Sequence, residues 1–119
     1  MKVTKAIIKK KEKRAKKRLL KQQLEEWKLK IVERDNNRCQ MCGKELIKSK
    51  SRNVHHILPN TKLYFDLRSD VNNGILLCPQ CHRFSPNSPH QNSIYFAEFL
   101  KKNRSEQYYY LCSKITPSL

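Results

Sequence analysis

Two Cys-x-x-Cys pairs, Cys39-x-x-Cys42-Gly43 and Cys78-x-x-Cys81, stand 35 residues apart and constrain this chain more than any other feature. In a reducing compartment such pairs favour one tetrahedral Zn²⁺ on four thiolates over two disulfides. Nothing at the N-terminus resembles a signal peptide, because the apolar Ala6-Ile7-Ile8 is far too short and lies among lysines. A reducing, cytoplasmic setting is therefore expected, with a structural zinc on Cys39, Cys42, Cys78 and Cys81. Cys112 has no partner pair and reads as a packed or free thiol.

A staple is needed because the folded unit is small. Of 119 residues, the first 30 hold 13 Lys/Arg against 3 acidic residues and read as largely solvated. That leaves 35–119 to build a core, a size at which a structural metal often makes up for scarce apolar burial. The net charge is +16, and no stretch approaches the ~18 consecutive apolar residues of a membrane span. A cationic chain with no membrane segment points to a polyanion, of which nucleic acid is the commonest. Purely architectural proteins share that property.

Residues 1–18 are close to a lysine run, including Lys9-Lys10-Lys11, Lys13-Arg14 and Lys16-Lys17-Arg18. Without Gly or Pro, helix is allowed there, but like-charge repulsion makes it marginal: either a loose arm, or a helix formed on a partner. From Leu20 the apolar residues Leu20, Leu24, Trp27 and Ile31 repeat at helical spacing, predicting a helix over about 18–34 with Trp27 as its anchor. Asp35-Asn36-Asn37-Arg38 is a turn. A strand is predicted over 52–58, a loop over 60–72 with a helical turn at 63–65, and a buried strand over 74–77. Pro79 suits the first turn of a short helix that Pro86 and Pro89 stop. A last helix, capped by Asn92 or Ser93, is expected to bury Ile94, Tyr95, Phe96, Phe99 and Leu100, then to continue or restart through 106–111, with Tyr108-Tyr109-Tyr110 packing.

All four histidines, His55, His56, His82 and His90, fall within 36 residues. They sit in Val54-His55-His56-Ile57-Leu58-Pro59, in Asn73-x-x-x-x-Cys78-x-x-Cys81-His82 and in Ser88-Pro89-His90-Gln91-Asn92. A strand with paired histidines, a loop, a strand and a histidine opening a helix resembles the HNH endonuclease family with a zinc knuckle, over about residues 34–111. The layout is also similar to that of the phage NinG recombination nucleases. The resemblance implies an α+β fold, a small ββα-metal (His-Me finger) domain stapled by the four cysteines. A basic arm and amphipathic helix would occupy 1–34 and the nuclease domain 35–119, with a C-terminal helix.

What the resemblance implies for single residues fits their chemistry. His56 resembles the general base, since imidazole titrates near neutrality. Asn73 looks like the brace of the loop carrying that base, because its amide both donates and accepts. His82 matches the last motif histidine and would share a catalytic divalent metal with His55. His90 would come in from the following loop as a third ligand or a phosphate contact, or else be a plain surface or packing histidine; colicin-type members carry a further histidine one turn after the His82 position, where this chain has Pro86. Successive strand residues face opposite ways, so bringing His55 and His56 to one site would need an irregular backbone before Pro59.

Imidazoles suit Mn²⁺, Co²⁺, Ni²⁺ or Zn²⁺ better than Mg²⁺, although abundance keeps Mg²⁺ in the expectation. The implied activity is DNA phosphodiester hydrolysis leaving 5′-phosphate and 3′-hydroxyl ends, in a bacterial or phage-infected cell. Lys9, Lys10, Lys11, Lys13, Arg14, Lys16, Lys17 and Arg18 would neutralise phosphates of double-stranded DNA. A second copy, or a phage packaging or recombination partner, stays open, as does an RNA target. The alternatives are a branch-selective recombination nuclease and a non-catalytic zinc module that binds nucleic acid.

Overall fold

The chain's computed structural model describes residues 4–115. Helix α1 spans Lys5–Arg34, strands β1 and β2 span Asn53–His56 and Gly74–Leu77, and helices α2 and α3 span Ser93–Asn103 and Ser105–Lys114. Single 3₁₀ turns lie at Ser49–Ser51, Phe65–Leu67 and Val71–Asn73, and one wide, π-helical turn at Gln80–Phe84 follows Pro79.

Helix α1 is one uninterrupted rod, not a helix beginning near residue 18. Lysine, arginine and alanine are strong helix formers, and the packed C-terminal half of α1 supplies the costly nucleus from which the basic half propagates. Thr4 caps the start, its Oγ1 accepting from Ile7 N at 3.3 Å. Repulsion of a few tenths of a kcal/mol per like-charged pair, roughly, does not outweigh these terms. The end is set by Asn36 and Asn37, both at φ 56°, a left-handed conformation that asparagine tolerates.

Strands β1 and β2 pair antiparallel, with Asn53 opposite Leu77, Val54 opposite Leu76, His55 opposite Ile75 and His56 opposite Gly74. All of β2 is buried, as its unbroken Gly-Ile-Leu-Leu suggests. Trp27 and Ile31 of α1, Leu46, the three apolar residues of β2, and Phe96 and Leu100 of α2 form the core with Cys39 and Cys78. The strand beginning at 53 ends at His56, two residues short of the expected limit.

The C-terminal helices correct one expectation. Only Phe96 and Leu100 of α2 are buried, Phe99 is partly so, and Ile94 is 78% and Tyr95 44% exposed. Five residues within one seven-residue stretch of helix cannot share a face at 3.6 residues per turn. The chain breaks at Arg104 and restarts as α3, which docks by polar contacts. Gln107 Nε2 donates to Asn72 O (2.7 Å) and Gly74 O (2.8 Å), and Arg104 reaches the buried Asp35 at 3.3 Å. Asp35 also accepts from Arg34 Nε (2.8 Å) and Leu76 N (3.0 Å), tying α1, β2 and α3 together. The 3₁₀ turn of the 60–72 loop lies at Phe65–Leu67, not at 63–65.

Candidate active site and metal centres

The four paired cysteines converge. Their Sγ atoms all lie within 4.8 Å of one another, with Cys42 and Cys78 Sγ 3.8 Å apart. A Zn–S bond of about 2.3 Å in a tetrahedron puts sulfurs about 3.8 Å apart, so the cluster fits zinc. The turn beneath it is built by Cys39 N donating to Lys44 O (2.9 Å) and Gly43 N donating to Cys39 O (2.8 Å). Gly43 has φ +77°, a backbone state that side chains disfavour. Burial pushes the Cys81 thiol up, with the neighbouring thiols adding to it. A metal cation would reverse that preference. Cys112 is exposed and stands apart from the cluster.

A second cluster joins His55 of β1, His82 of the π-helical turn and His90 of the following loop. His55 Nδ1 and His82 Nε2 are 3.2 Å apart, and His90 Nε2 and His82 Nε2 3.0 Å. His82 Nδ1 lies 3.1 Å from Asn53 Oδ1. With its Nδ1–H donated there, His82 keeps the Nε2 lone pair for the cluster. With all three imidazole nitrogens within 4.8 Å of one another, the cluster could hold one transition-metal ion at the ordinary M–N distance of about 2.1 Å. Burial, then the neighbouring imidazoles, lower His55 to about 3; burial, then His90 and Arg83, lower His82 to about 4. Both are therefore neutral near pH 7, the form that binds metal.

His56 does not join this cluster. Strand β1 stays regular, so the His56 ring projects opposite to that of His55 and stacks on Trp27, centroids 3.9 Å apart and 11° from parallel. Its Nε2 lies 2.9 Å from the carbonyl of Arg68. A carbonyl can only accept, so Nε2 carries the proton and Nδ1 keeps a lone pair. Burial lowers the His56 pKa, the Arg68 carbonyl opposes this, and Lys28 adds to the lowering.

Asn73 is fully buried at the foot of β2. Its Oδ1 accepts from Leu58 N at 2.6 Å, while its Nδ2 donates to Leu58 O at 3.0 Å and Leu67 O at 3.1 Å. One amide thus holds both ends of the 58–67 loop, and the carbonyl of the next residue, Arg68, meets His56. The basic residues Lys9, Lys10, Lys11, Lys13, Arg14, Lys16, Lys17 and Arg18 are all exposed on α1.

A family model described as HNH endonuclease matches residues 39–85. That segment is similar to HNH endonucleases. The match takes in both cysteine pairs, both strands, His55, His56, Asn73 and His82, and leaves α1, His90, α2 and α3 outside. No curated protein and no solved structure matches the chain. No helix among the described residues is long and apolar enough to cross a membrane.

Three residues around the HNH motif escape a reading of the sequence. Asn53 is two positions before His55, and strand alternation alone puts both on one face beside His82. Gly74 and the part Trp27 plays beside His56 carry no such signal. A Cβ on Gly74 would lie 2.6 Å from Trp27 Cζ2, so the bare glycine lets Trp27 reach His56, the cross-strand partner of Gly74.

Proposed function

We propose that the protein is a metal-dependent DNA endonuclease that hydrolyses phosphodiester bonds with His56 as general base, leaving 5′-phosphate and 3′-hydroxyl ends. The observation that carries this reading is the three-imidazole cluster of His55, His82 and His90, two of whose members lie in the segment that matches HNH endonucleases. His56 is assigned as base by its place in that segment and its free Nδ1, its ring leaving β1 on the side opposite to the cluster. His55, His82 and His90 would hold a divalent ion, Mn²⁺, Mg²⁺ or another transition metal, which supplies charge neutralisation at the scissile phosphate and the departing 3′ oxygen. His56 Nδ1 takes the proton of the attacking water, with its ring held in plane by Trp27 and its other nitrogen by Arg68 O. Asn73 fixes the loop on which that carbonyl sits. Asn53 keeps His82 in the ligating tautomer. Cys39, Cys42, Cys78 and Cys81 hold a structural zinc, and the lysines and arginines of α1 neutralise duplex phosphates.

One such site cuts one strand, so nicking is the primary product. The test is conversion of supercoiled plasmid to nicked circles in Mn²⁺ or Mg²⁺. Wild type is compared with His56→Ala after both are shown to retain zinc and to bind DNA equally. The variant should lose on the order of 10²-fold or more in rate. No nicking by wild type on supercoiled, linear or branched DNA, with binding intact, would make the protein a zinc-dependent binding module instead. Preferential cutting of branched substrates in the same assay would mark it as a recombination nuclease.

A further inference from the structure

One face of α1 changes character along its length. Counting back from Trp27, the residues that share its direction, within about 60° at 3.6 residues per turn, are Leu24, Gln23, Leu20, Lys16, Lys13, Glu12, Lys9, Ala6 and Lys5, so the N-terminal part carries four lysines with one acid, Glu12, at the edge of the face. The apolar part of that line faces the protein body, with Trp27 and Ile31 buried and Leu20 and Leu24 half-buried. The basic part has no body to face, because every residue from Thr4 to Leu19 is exposed. None of the four lysines enters an ion pair among the described residues. Burial of one half of a continuous helix thus fixes the direction in which the other half points. It points the way Trp27 points, toward the side of α1 on which His56 lies.

We infer that Lys5, Lys9, Lys13 and Lys16 form a linear rail for the backbone of duplex DNA, held in fixed register with the cleavage site through Trp27. Lys16 and Lys5 are 11 and 22 residues from Trp27, so at 1.5 Å per residue the rail runs from about 17 to about 33 Å away from the base. At 3.4 Å per base pair this reaches from about five to about ten base pairs on one side of the cut. The occupant is a polyanion because the arm from Lys5 to Arg18 carries nine basic residues and one acidic residue, Glu12. It is duplex because a straight, stiff line of four cations matches a stiff, evenly charged rod better than a coiling single strand. The position of the cut relative to the rail rests on the nuclease reading; the binding does not.

Lys11, Arg14, Arg18 and Lys21 lie on the opposite face and supply a control of equal charge. Full-length, zinc-loaded protein is made with Lys5, Lys9, Lys13 and Lys16 all changed to Gln, and separately with Lys11, Arg14, Arg18 and Lys21 all changed to Gln. Glutamine keeps helix propensity, and circular dichroism verifies that α1 persists. Binding to a 30-base-pair duplex is measured without divalent metal over a range of salt. The rail variant should lose at least about tenfold more affinity than the control, and its log–log salt slope should drop by about 3 to 4, near 0.9 for each phosphate left unneutralised. In metal, wild type should cut duplexes poorly once the flank on one side is shorter than about ten base pairs, while the rail variant should ignore that trimming. Equal losses in the two variants would overturn the rail in favour of unoriented charge, as would a rail variant that binds like wild type. Face-dependent binding without cutting of any substrate would keep the rail and refute the nuclease.

Discussion

The Trp27 indole lies flat against the His56 imidazole, 3.9 Å between centroids and 11° from parallel, while its Nε1–H donates to Asp70 O at 2.7 Å. A residue of the N-terminal helix, outside the matched HNH segment, therefore orients the proposed base. Trp27→Phe keeps a ring there but loses the bond to Asp70 and part of the volume. It should cost about 1–3 kcal/mol in denaturant unfolding. It should also lower kcat several-fold with little change in KM, since the ring touches the base and not the substrate. An unchanged kcat would show that Trp27 serves the core alone.

Gly74 carries the matching space. Its missing Cβ is what lets Trp27 and Ile31 approach β2, and a methyl group there must displace the indole or Ile31 Cδ1. Gly74→Ala should destabilise by about 1–3 kcal/mol, as overpacking does, and should reduce nicking more than an equally destabilising change far from the indole. Melting temperatures and nicking rates measured side by side decide it.

The metal vocabulary of this fold is legible in the sequence because ligands announce themselves by type and spacing. Cys-x-x-Cys repeated, and histidines gathered in 36 residues, need no geometry to be noticed. His90 can be singled out, but its arrival at 3.0 Å from His82 depends on a loop between Pro86 and Asn92 whose path no period encodes. The length of α1 is harder to read, because repulsion among lysines is visible in a sequence while the nucleus supplied by packed Trp27 and Ile31 is not. Least legible are the contacts made by backbone atoms: the Arg68 carbonyl that sets the His56 tautomer belongs to no side chain, so residue type carries no trace of it.

Asn73 joins stability to catalysis. Asn73→Ala would leave Leu58 N, Leu58 O and Leu67 O without their partner in a buried site, at a cost of about 2–4 kcal/mol. Asn73→Asp preserves the bond to Leu58 N but removes both donated bonds. Both variants should retain zinc, and both should lower kcat by moving Arg68 O relative to His56; wild-type kcat in either would exclude a bracing role.

Stability contributed by the neutral histidine cluster should start to fall at a higher pH than that at which ordinary carboxylates protonate. His55 is lowered to about 3 and His82 to about 4 by burial first and by neighbouring cationic or imidazole groups second. The unfolded chain takes up these protons near pH 6.5, so it binds more protons than the folded state between 6.5 and 4. The stabilisation is thus complete above pH 6.5 and is lost as pH falls toward 4. Denaturant midpoints of metal-free wild type and His55→Gln, both zinc-loaded at the cysteines, should diverge across that window, the variant showing the shallower dependence; parallel curves would contradict it.

The two metal centres should part company under chelation. The imidazole cluster offers only three protein nitrogens, one of them from the exposed His90, so an ion held there would exchange readily. The thiolate cluster offers four protein ligands, and a structural zinc closed by them would contribute about 10–16 kcal/mol to folding at pH 7. Mild chelation should abolish nicking while zinc stays at one per chain and the far-ultraviolet spectrum is unchanged, with Mn²⁺ restoring activity. Stronger chelation, or titration of the thiolates with a mercurial, should release that zinc and unfold the chain, since the buried Cys39 and Cys78 belong to the core itself. Loss of fold together with activity at the first step would mean that the histidine cluster, and not the cysteines, holds the structural ion.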